Sequence, residues 1–466
     1  MSIIIPANSA VGGGFDVDNS LRFNKTSSDY LTKTFGSAGN RKTWTWSGWL
    51  KRSSNFASQQ DFFAVSSGSA AFHILYFSGN DTITFNYNTT YVETNRKFRD
   101  ASAWYHVVIA CDTTQSTSSN RVKIYINGVQ ETSMAATGYP SQNADLGINN
   151  NVRHDISNQG AYYSNNSYFD GYMAEVCFID GTALDPTSFG EFDSDSNIWK
   201  PIDVSGLTFG NNGFYLDFEN SGALGADVSG NSNNFTVNNL TAIDQSTDTC
   251  TNNFATLNPL NSSSNDSHTP PTYSEGNLQS ASPSSGGGYV GSSTIGVTNG
   301  KWFWEFKKSG GSATNIYNGI GNEVGTAEIA RQSAVGVYFG NQVFYRPDGT
   351  KQIITNGSNA NSSYGASWTT NDIIGIALDL DSSTNTVTFY KNGASQGAIN
   401  LPVNTDTWFF IVACGTDTVD TWQLNFGSPP YAISSGNTDG NGYGNFEYAV
   451  PSGYFSLNTK NLAEYG

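Results

Sequence analysis

The feature that most constrains the fold is the stretch from Asn371 to Gly397, where apolar and other residues alternate. Apolar side chains occupy every second position from Ile374 to Leu380, which is typical of a strand with one buried face. A second run, Thr386 to Lys391, ends at Asn392-Gly393, a pair that tolerates the positive φ of a tight reversal. The stretch therefore predicts antiparallel strands joined by short turns.

The first part of the chain carries the same alternation, again with an Asn-Gly pair, Asn127-Gly128, after one of the runs. Aromatic residues make up 14% of the chain and there are 49 glycines, while long stretches of helix formers are few. Short β-branched and aromatic runs separated by Gly, Asn and Ser favour an all-β fold of sandwiches or barrels. The alternating runs are Trp44 to Leu50, Tyr105 to Cys111, Val122 to Ile126 and Tyr172 to Phe178.

The net charge of −17 at pH 7 argues against a nucleic-acid-binding protein, because an acidic surface repels phosphate. The same charge disfavours anionic lipid, and no apolar run approaches the length that inserts across a membrane. The first residues lack the basic and apolar segments of a secretory signal, so we expect assembly in a cytoplasm. The four cysteines are far apart and favour neither a zinc site nor a disulfide scaffold.

The last part of the chain resembles the SPRY domain, a concanavalin-like β-sandwich. The family usually has Gly where this chain has Asn371, which is a mild departure. The residues that carry the resemblance are Gly300 to Phe306, Tyr364-Gly365, Trp368, Asn371 to Gly375, Leu378-Asp379, Phe389 to Gly393 and Leu424 to Gly427.

The first part resembles a laminin-G-like lectin domain of the concanavalin type. Its aromatic strand, its paired central strands and its closing segment all occur in the family's order. The residues that carry this resemblance are Ser20 to Asn24, Asp29 to Leu31, Trp44 to Lys51, Trp104 to Val108, Val122 to Gln130, Phe169 to Val176 and Ala183 to Asp185.

Together the two resemblances imply two concanavalin-like antiparallel β-sandwiches (jelly rolls) in tandem. We expect an N-terminal arm over residues 1–19, a laminin-G-like sandwich over 20–200 and a SPRY-like sandwich over 251–466. Residues 201–250 form a connecting segment that either adds strands to one of the sandwiches or makes a small bridging module. Within the arm, Ile3, Ile4, Ile5 and Pro6 precede flexible glycines and are candidates for docking.

Glycan binding needs aromatic faces for sugar C–H groups, with amides or carboxylates beside them for the hydroxyls. Two loop-like segments offer both kinds of group, although a segment of this kind more often packs on its own domain. The candidate residues are Tyr162, Tyr163, Asn165, Asn166 and Tyr168 in the first segment, and Tyr345, Arg346 and Asp348 in the second.

Metal binding rests on weaker patterns. Asp379, Asp381 and Asn385 offer the oxygen ligands that calcium takes, and some laminin-G-like domains use calcium. Short runs rich in Asp and Asn are also ordinary turn chemistry in β proteins. We therefore expect no cofactor, with calcium as the alternative.

No catalytic set stands out, so we expect a protein that is not an enzyme. A sandwich glycoside hydrolase needs two nearby carboxylates in the roles of acid and nucleophile. The nearest acidic run, Glu191 to Ser196, lacks the second Glu of the hydrolase pattern. His106 lies in a predicted strand and is expected to be structural.

A laminin-G-like domain followed by a SPRY-like domain, in an acidic chain rich in Asn, Ser and Gly, resembles structural proteins of marine tailed bacteriophages. The resemblance implies a virion surface or appendage protein (tail fibre, spike or capsid-surface fibre) that adheres to host polysaccharide. Its other partners would be the capsid, portal or tail proteins, and it would form a homo-oligomer. The alternatives are a capsid-decorating or adaptor protein and a sandwich-fold glycoside hydrolase.

Overall fold

A computed structural model of the 466-residue chain describes residues 14–53, 57–66, 72–158, 167–262, 271–282, 289–311, 316–324, 340–414 and 420–466. Two compact units divide the chain between Thr251 and Asn252, and they are called here the N-terminal and the C-terminal unit. Residues 1–13, which include the docking candidates Ile3, Ile4, Ile5 and Pro6, lie outside the described residues.

The N-terminal unit is built from strands, with short 3-10 turns at Lys25–Ser27, Ser118–Asn120, Pro186–Ser188 and Ala242–Asp244. Its strands are β1 Ser20–Phe23, β2 Tyr30–Thr34, β3 Thr43–Arg52, β4 Gln60–Ser66, β5 Phe72–Phe77, β6 Ile83–Tyr87, β7 Thr90–Thr94, β8 Trp104–Asp112, β9 Val122–Ile126, β10 Val129–Gln130, β11 Met134–Thr137, β12 Arg153–Ile156, β13 Gly171–Asp180, β14 Gly190–Phe192, β15 Trp199–Pro201, β16 Phe214–Leu216, β17 Thr236–Asn238 and β18 Gln245–Ser246.

These strands form two eight-stranded antiparallel sheets and a small hairpin of β14 with β15. Sheet A has the order β10-β9-β8-β3-β13-β1-β18, with β16 paired to β13, and sheet B has the order β11-β7-β6-β5-β4-β12-β2-β17. Buried aromatic and aliphatic residues from both sheets form one core, which includes Trp44, Trp46, Phe63 and Phe85. Residues 201–250, considered above as a connecting segment, supply β16, β17 and β18 to the two sheets of this unit.

The C-terminal unit is also built from strands, and it ends in one short α-helix, α1, Thr459–Tyr465. Its strands are β19 Leu257–Ser262, β20 Thr272–Ser274, β21 Gln279–Ala281, β22 Tyr289–Ser293, β23 Lys301–Gly310, β24 Ile316–Asn322, β25 Gln342–Tyr345, β26 Thr350–Thr355, β27 Ser358–Ser363, β28 Ile373–Asp379, β29 Thr386–Lys391, β30 Ala394–Asn400, β31 Trp408–Cys414, β32 Thr421–Asn425 and β33 Phe455–Ser456.

Sheet C of this unit has the order β19-β22-β31-β24-β25-β26-β27. Sheet D has the order β20-β21-β32-β23-β28-β29-β30, and β33 pairs with β23 in the parallel sense. A second core lies between the sheets and contains Trp302, Trp304 and Phe306 from β23. The expected all-β fold of antiparallel layers is confirmed.

Two of the predicted turns show why the alternating runs reverse where they do. Asn127 and Gly128 between β9 and β10 have φ of 48° and 79°, and Asn392 and Gly393 between β29 and β30 have the same values. Such angles suit a two-residue hairpin whose twist matches that of the strands. Among the described residues, no helix has the length and apolar character needed to cross a membrane.

Candidate functional site

The outer face of sheet B carries an unusual set of polar and aromatic side chains. Side chains alternate along each strand, so Phe63, Leu75 and Phe85 point into the core while their neighbours point outward. The outward residues of adjacent strands lie opposite one another and form rows across the sheet. This outer face is the candidate functional site.

The strand register gives two adjacent rows. The first row combines two carboxylates with a phenol and a hydroxyl, and the second combines a carboxylate, an amide and a phenol with smaller residues. Row one contains Asp61, Tyr76, Thr84 and Glu93, and row two contains Thr32, Asp155, Ala64, Ile74, Asn86 and Tyr91.

Asp61 is the most perturbed acid of the face. Its side chain is fully buried, and Oδ1 accepts a hydrogen bond from Gln59 Nε2 at 2.7 Å. Its Oδ2 has no hydrogen-bond partner among the residues that the structure describes. Burial raises the pKa of Asp61 to about 8, against the opposing effects of Gln59 and Lys25. Asp61 is therefore protonated and neutral at pH 7, and it can donate a hydrogen bond as well as accept one.

Asp155 is buried as well, but it forms an ion pair with Arg153. Arg153 Nε donates to Asp155 Oδ1 at 2.7 Å, and the guanidinium lies 5.4 Å from the centre of the Tyr30 ring. The rings of Tyr30 and Tyr168 are 6.2 Å apart. Tyr168 reaches this place because it bridges to Asp61, whose backbone N–H donates to Ser167 O at 2.8 Å. Two tyrosines and an arginine thus border one side of the face.

The accessible part of the face lies on β5, β6 and β7. Tyr76, Asn86 and Glu93 are half-buried, and Tyr91 is 42% exposed. Burial raises the pKa of the Tyr76 phenol, against the opposing effects of Asn86 and Thr84. Aromatic surface beside amide, hydroxyl and carboxylate groups can contact both the C–H groups and the hydroxyls of a sugar.

The first predicted glycan segment falls partly on this face. Tyr168 lies at its border, as described, whereas Tyr162, Tyr163, Asn165 and Asn166 lie outside the described residues.

The second predicted segment does not form an open aromatic platform. Tyr345 is fully buried and packs against Trp368 and Phe389 in the core of the C-terminal unit, so its ring is not available to a ligand. Arg346 is half-buried at the end of β25. Asp348 is exposed and caps its own turn, because its Oδ1 accepts from Thr350 N at 3.0 Å. Tyr345, expected in a loop-like segment, is the last residue of the core strand β25.

Asp379 and Asp381, two of the three calcium candidates, use their carboxylate oxygens within the chain. Asp379 Oδ2 is 2.9 Å from Lys301 Nζ, and Asp379 Oδ1 accepts from Asp381 N at 3.0 Å. Asp381 Oδ1 accepts from Gly300 N at 2.8 Å, and Asn385 Nδ2 donates to a backbone carbonyl. Within the described ranges, no group of three His, Cys, Asp or Glu side chains could hold a metal ion. Since Lys301 already balances Asp379, these residues do not fit calcium.

The acidic run considered for hydrolysis is held by one lysine. Lys200 Nζ lies 3.3 Å from Glu191 Oε1 and 3.2 Å from Asp193 Oδ2. Hydrogen bonds from Ser196 lower the pKa of Asp193 to about 2. A catalytic acid needs the opposite shift, because it must hold a proton near neutral pH.

His106 is held in the hydrophobic layer outside sheet A. Its ring stacks on Trp49 at 4.8 Å, and its Nδ1 accepts from Trp199 Nε1 at 3.0 Å. Since indole can only donate, the remaining proton is on Nε2, which donates to Ser47 Oγ at 2.9 Å. Burial lowers the pKa of His106 to about 3. The ring is therefore neutral and fully engaged.

Sequence reasoning missed most of the outer face of sheet B. The available signal was a charged residue inside an apolar strand, as at Asp61 in QDFFAV and Asp155 in RHDI. A charge in such a place is costly unless paired or protonated, and it can mark a functional site.

Comparison with known proteins gives one family match. Residues 24–187, about a third of the chain, match the family described as the Concanavalin A-like lectin/glucanases superfamily. The matched segment lies in the N-terminal unit, whose two antiparallel sheets form a concanavalin-like lectin sandwich. A search among curated proteins found no match.

Several solved structures are similar to parts of the chain. The SPRY domain of human HERC1 is 18% identical over 36% of this chain and 96% of that chain, with a TM-score of 0.29. A heptameric SAP-like pentraxin from Limulus polyphemus is 14% identical over 37% and 80%, with a TM-score of 0.26. The LG1-3 region of the laminin alpha2 chain is 9% identical over 88% and 62%, with a TM-score of 0.33. At TM-scores this low the similarities carry no functional argument.

Proposed function

We propose that the protein binds glycans through the outer face of sheet B, without catalysing a reaction on them. One observation carries this proposal: two cross-strand rows place the accessible groups of Tyr76 and Glu93 beside Asn86 and Tyr91 on one sheet face. Carbohydrate sites combine aromatic surface with fixed polar groups, and that combination is present here. The match of residues 24–187 to the Concanavalin A-like lectin/glucanases superfamily supports a carbohydrate ligand.

We further propose that the protein is a surface or appendage component of a bacteriophage virion, assembled in the host cytoplasm, and that the glycan belongs to host polysaccharide. The resemblance to phage structural proteins supports this role, and the charge of −17 disfavours nucleic acid as a partner. Residues Ile3 to Pro6 would dock on capsid, portal or tail proteins. Weak individual sites on many copies would gain strength together.

A glycan array with the purified chain tests the binding proposal. Tyr91→Ala and Tyr168→Ala remove rings from the two sides of the face, and each is expected to weaken binding about tenfold. Phe192→Ala is the matched control, because Phe192 is a similarly exposed aromatic residue (45%) on the hairpin of β14 with β15. Absence of binding to any host-derived glycan at any valency would favour the decorating or adaptor role instead.

Incubation with the bound polysaccharide tests the absence of catalysis. We expect no release of oligosaccharide. Sustained release that is lost on Asp61→Asn, or on substitution of Glu191 or Asp193, would contradict the proposal and make the protein a glycoside hydrolase.

A further inference from the structure

One edge strand of sheet C differs from the other sheet edges of the described chain. The strand β27, Ser358–Ser363, is exposed along its whole length, and among the strands that the structure describes it pairs only with β26. Its register with β26 is continuous over all six residues. An exposed, regular edge strand can pair with a strand of another chain, so natural proteins usually block it.

The other described edges are blocked or short. Strands β10 and β18 have two residues each, β17 and β20 have three, and β11 has four with a register shift. Strand β19 contains Pro259 and has a shifted register. Strand β30 has a register shift and positive φ at Gly397 (99°), and the Tyr364 hydroxyl already donates to Gly397 O. None of these devices occurs in β27.

The backbone groups that β27 turns outward can be assigned from its register. Tyr364 N donates to Gly349 O, so Tyr364 and every second residue before it face β26. Arg346 N donates to Thr350 O, which fixes the same alternation from the other side of β26. The N–H and C=O groups of Asn359, Asn361 and Ser363 therefore point away from the sheet.

The side chains of β27 decide what kind of strand fits there. Ser358–Ser363 contains Ser, Asn and Ala and no charged residue, in a chain whose net charge is −17. Two copies of so acidic a chain repel each other, and like charges directly opposite in a strand pair are destabilising. A charge-free edge avoids that repulsion where the copies would touch. Lys351, which lies opposite Ser362 on β26, is half-buried with its Nζ 5.6 Å from the centre of the Tyr364 ring.

We propose that β27 pairs with β27 of a second copy of this chain, antiparallel and about a two-fold axis. Opposing Asn361 to Asn361 of the second copy uses all three outward residues, since Asn359 then faces Ser363. The pairing would join two C sheets into one continuous sheet. The exposed edge of β27 would be paired in both copies, so no further copy could add there and the assembly would stop at a dimer. This inference does not depend on the glycan proposal.

Sedimentation equilibrium of the full chain, from about 1 to about 100 µM, tests the pairing. We expect a mass near twice 50.1 kDa at the upper concentrations. Asn361→Asp places two carboxylates opposite each other and should weaken the dimer at least about tenfold. Ala398→Asp is the matched control, because it adds the same charge to an exposed position of the other long edge strand, β30.

Cross-linking tests the register. Residues directly opposite in a hydrogen-bonded pair have Cα atoms about 5.5 Å apart, which a disulfide spans. Under an added oxidant, Asn361→Cys should give a covalent dimer and Ala360→Cys should not, since Ala360 faces Ser362 of the second copy. A mass of 50.1 kDa throughout, equal weakening by Asn361→Asp and Ala398→Asp, or no cross-link at position 361 would each overturn the proposal.

Discussion

Asp61 on the outer face of sheet B and Glu305 on the outer face of sheet D are both buried acids, but their hydrogen bonding differs. On sheet D, Glu305 accepts from Tyr448 N at 2.9 Å, Glu447 N at 3.1 Å and Asn425 Nδ2 at 3.1 Å. On sheet B, Asp61 has Gln59 on one oxygen and no hydrogen-bond partner for the other among the described residues.

The surroundings of the two acids explain the difference. The residues around Phe446 and Tyr448 cover sheet D, with the ring centre of Phe446 5.3 Å from that of Phe303. The hydrogen bonds of Glu305 hold this segment against β23. Glu305 thus serves the fold of its own unit. Asp61 lies in a row whose further members, Tyr76 and Glu93, are half-exposed. A buried acid whose oxygens all accept hydrogen bonds indicates a structural role. A buried acid with an oxygen that lacks a hydrogen-bond partner, beside accessible polar groups, is a candidate for a binding role.

The largest loss of stability expected from a substitution is at the structural acid, Glu305. Glu305→Ala leaves two backbone N–H groups and one amide without their acceptor, so we expect a loss of about 3 kcal/mol in the unfolding free energy of the C-terminal unit. Urea unfolding followed by hydrogen exchange in peptides from each unit measures it. Stability equal to that of the unmodified chain would show that Glu305 does not fasten the 445–448 segment.

The next effect concerns the pH dependence caused by Asp61. Its pKa is about 8 in the folded chain against an ordinary 3.8, so between these values the folded state holds a proton that the unfolded state releases. Stability of the N-terminal unit therefore falls as pH rises from about 4 to about 8, by about 1.4 kcal/mol per pH unit from this group. Asp61→Asn should remove that slope.

Glu175, with its pKa raised to about 8 by burial, adds a similar slope to the same unit. The measurement is therefore the difference between the unmodified chain and Asp61→Asn in urea titrations at several pH values. Parallel curves for the two proteins would mean that Asp61 is ionised in the folded state, and the contrast with Glu305 would lose its basis.

The smallest effect is expected at Asp348. Its carboxylate is exposed and caps its own turn, so Asp348→Ala should change stability by less than about 1 kcal/mol and leave glycan binding unchanged. Binding on the glycan array, compared with Tyr168→Ala, checks this. A loss of binding comparable to that of Tyr168→Ala would move the site to the C-terminal unit.

Much of the fold could be predicted from the sequence, but little of the candidate site. The alternating runs coincide with β3, β8, β9, β13, β28 and β29, because a half-buried strand imposes period two on its side chains. Tyr345 was expected in a loop-like segment but lies in a core strand, since an aromatic residue beside Arg and Pro is compatible with either position.

The sequence by itself determined that the chain forms antiparallel layers with tight Asn-Gly turns, since alternation and backbone tolerance are local properties. Only the tertiary structure decided which carboxylates share a sheet face and which of them have a full set of hydrogen-bond partners. Asp61, Tyr76, Thr84 and Glu93 come from four strands, and cross-strand register is what brings them into one row. The desolvation that keeps Asp61 protonated likewise depends on packing around it, which no local pattern records.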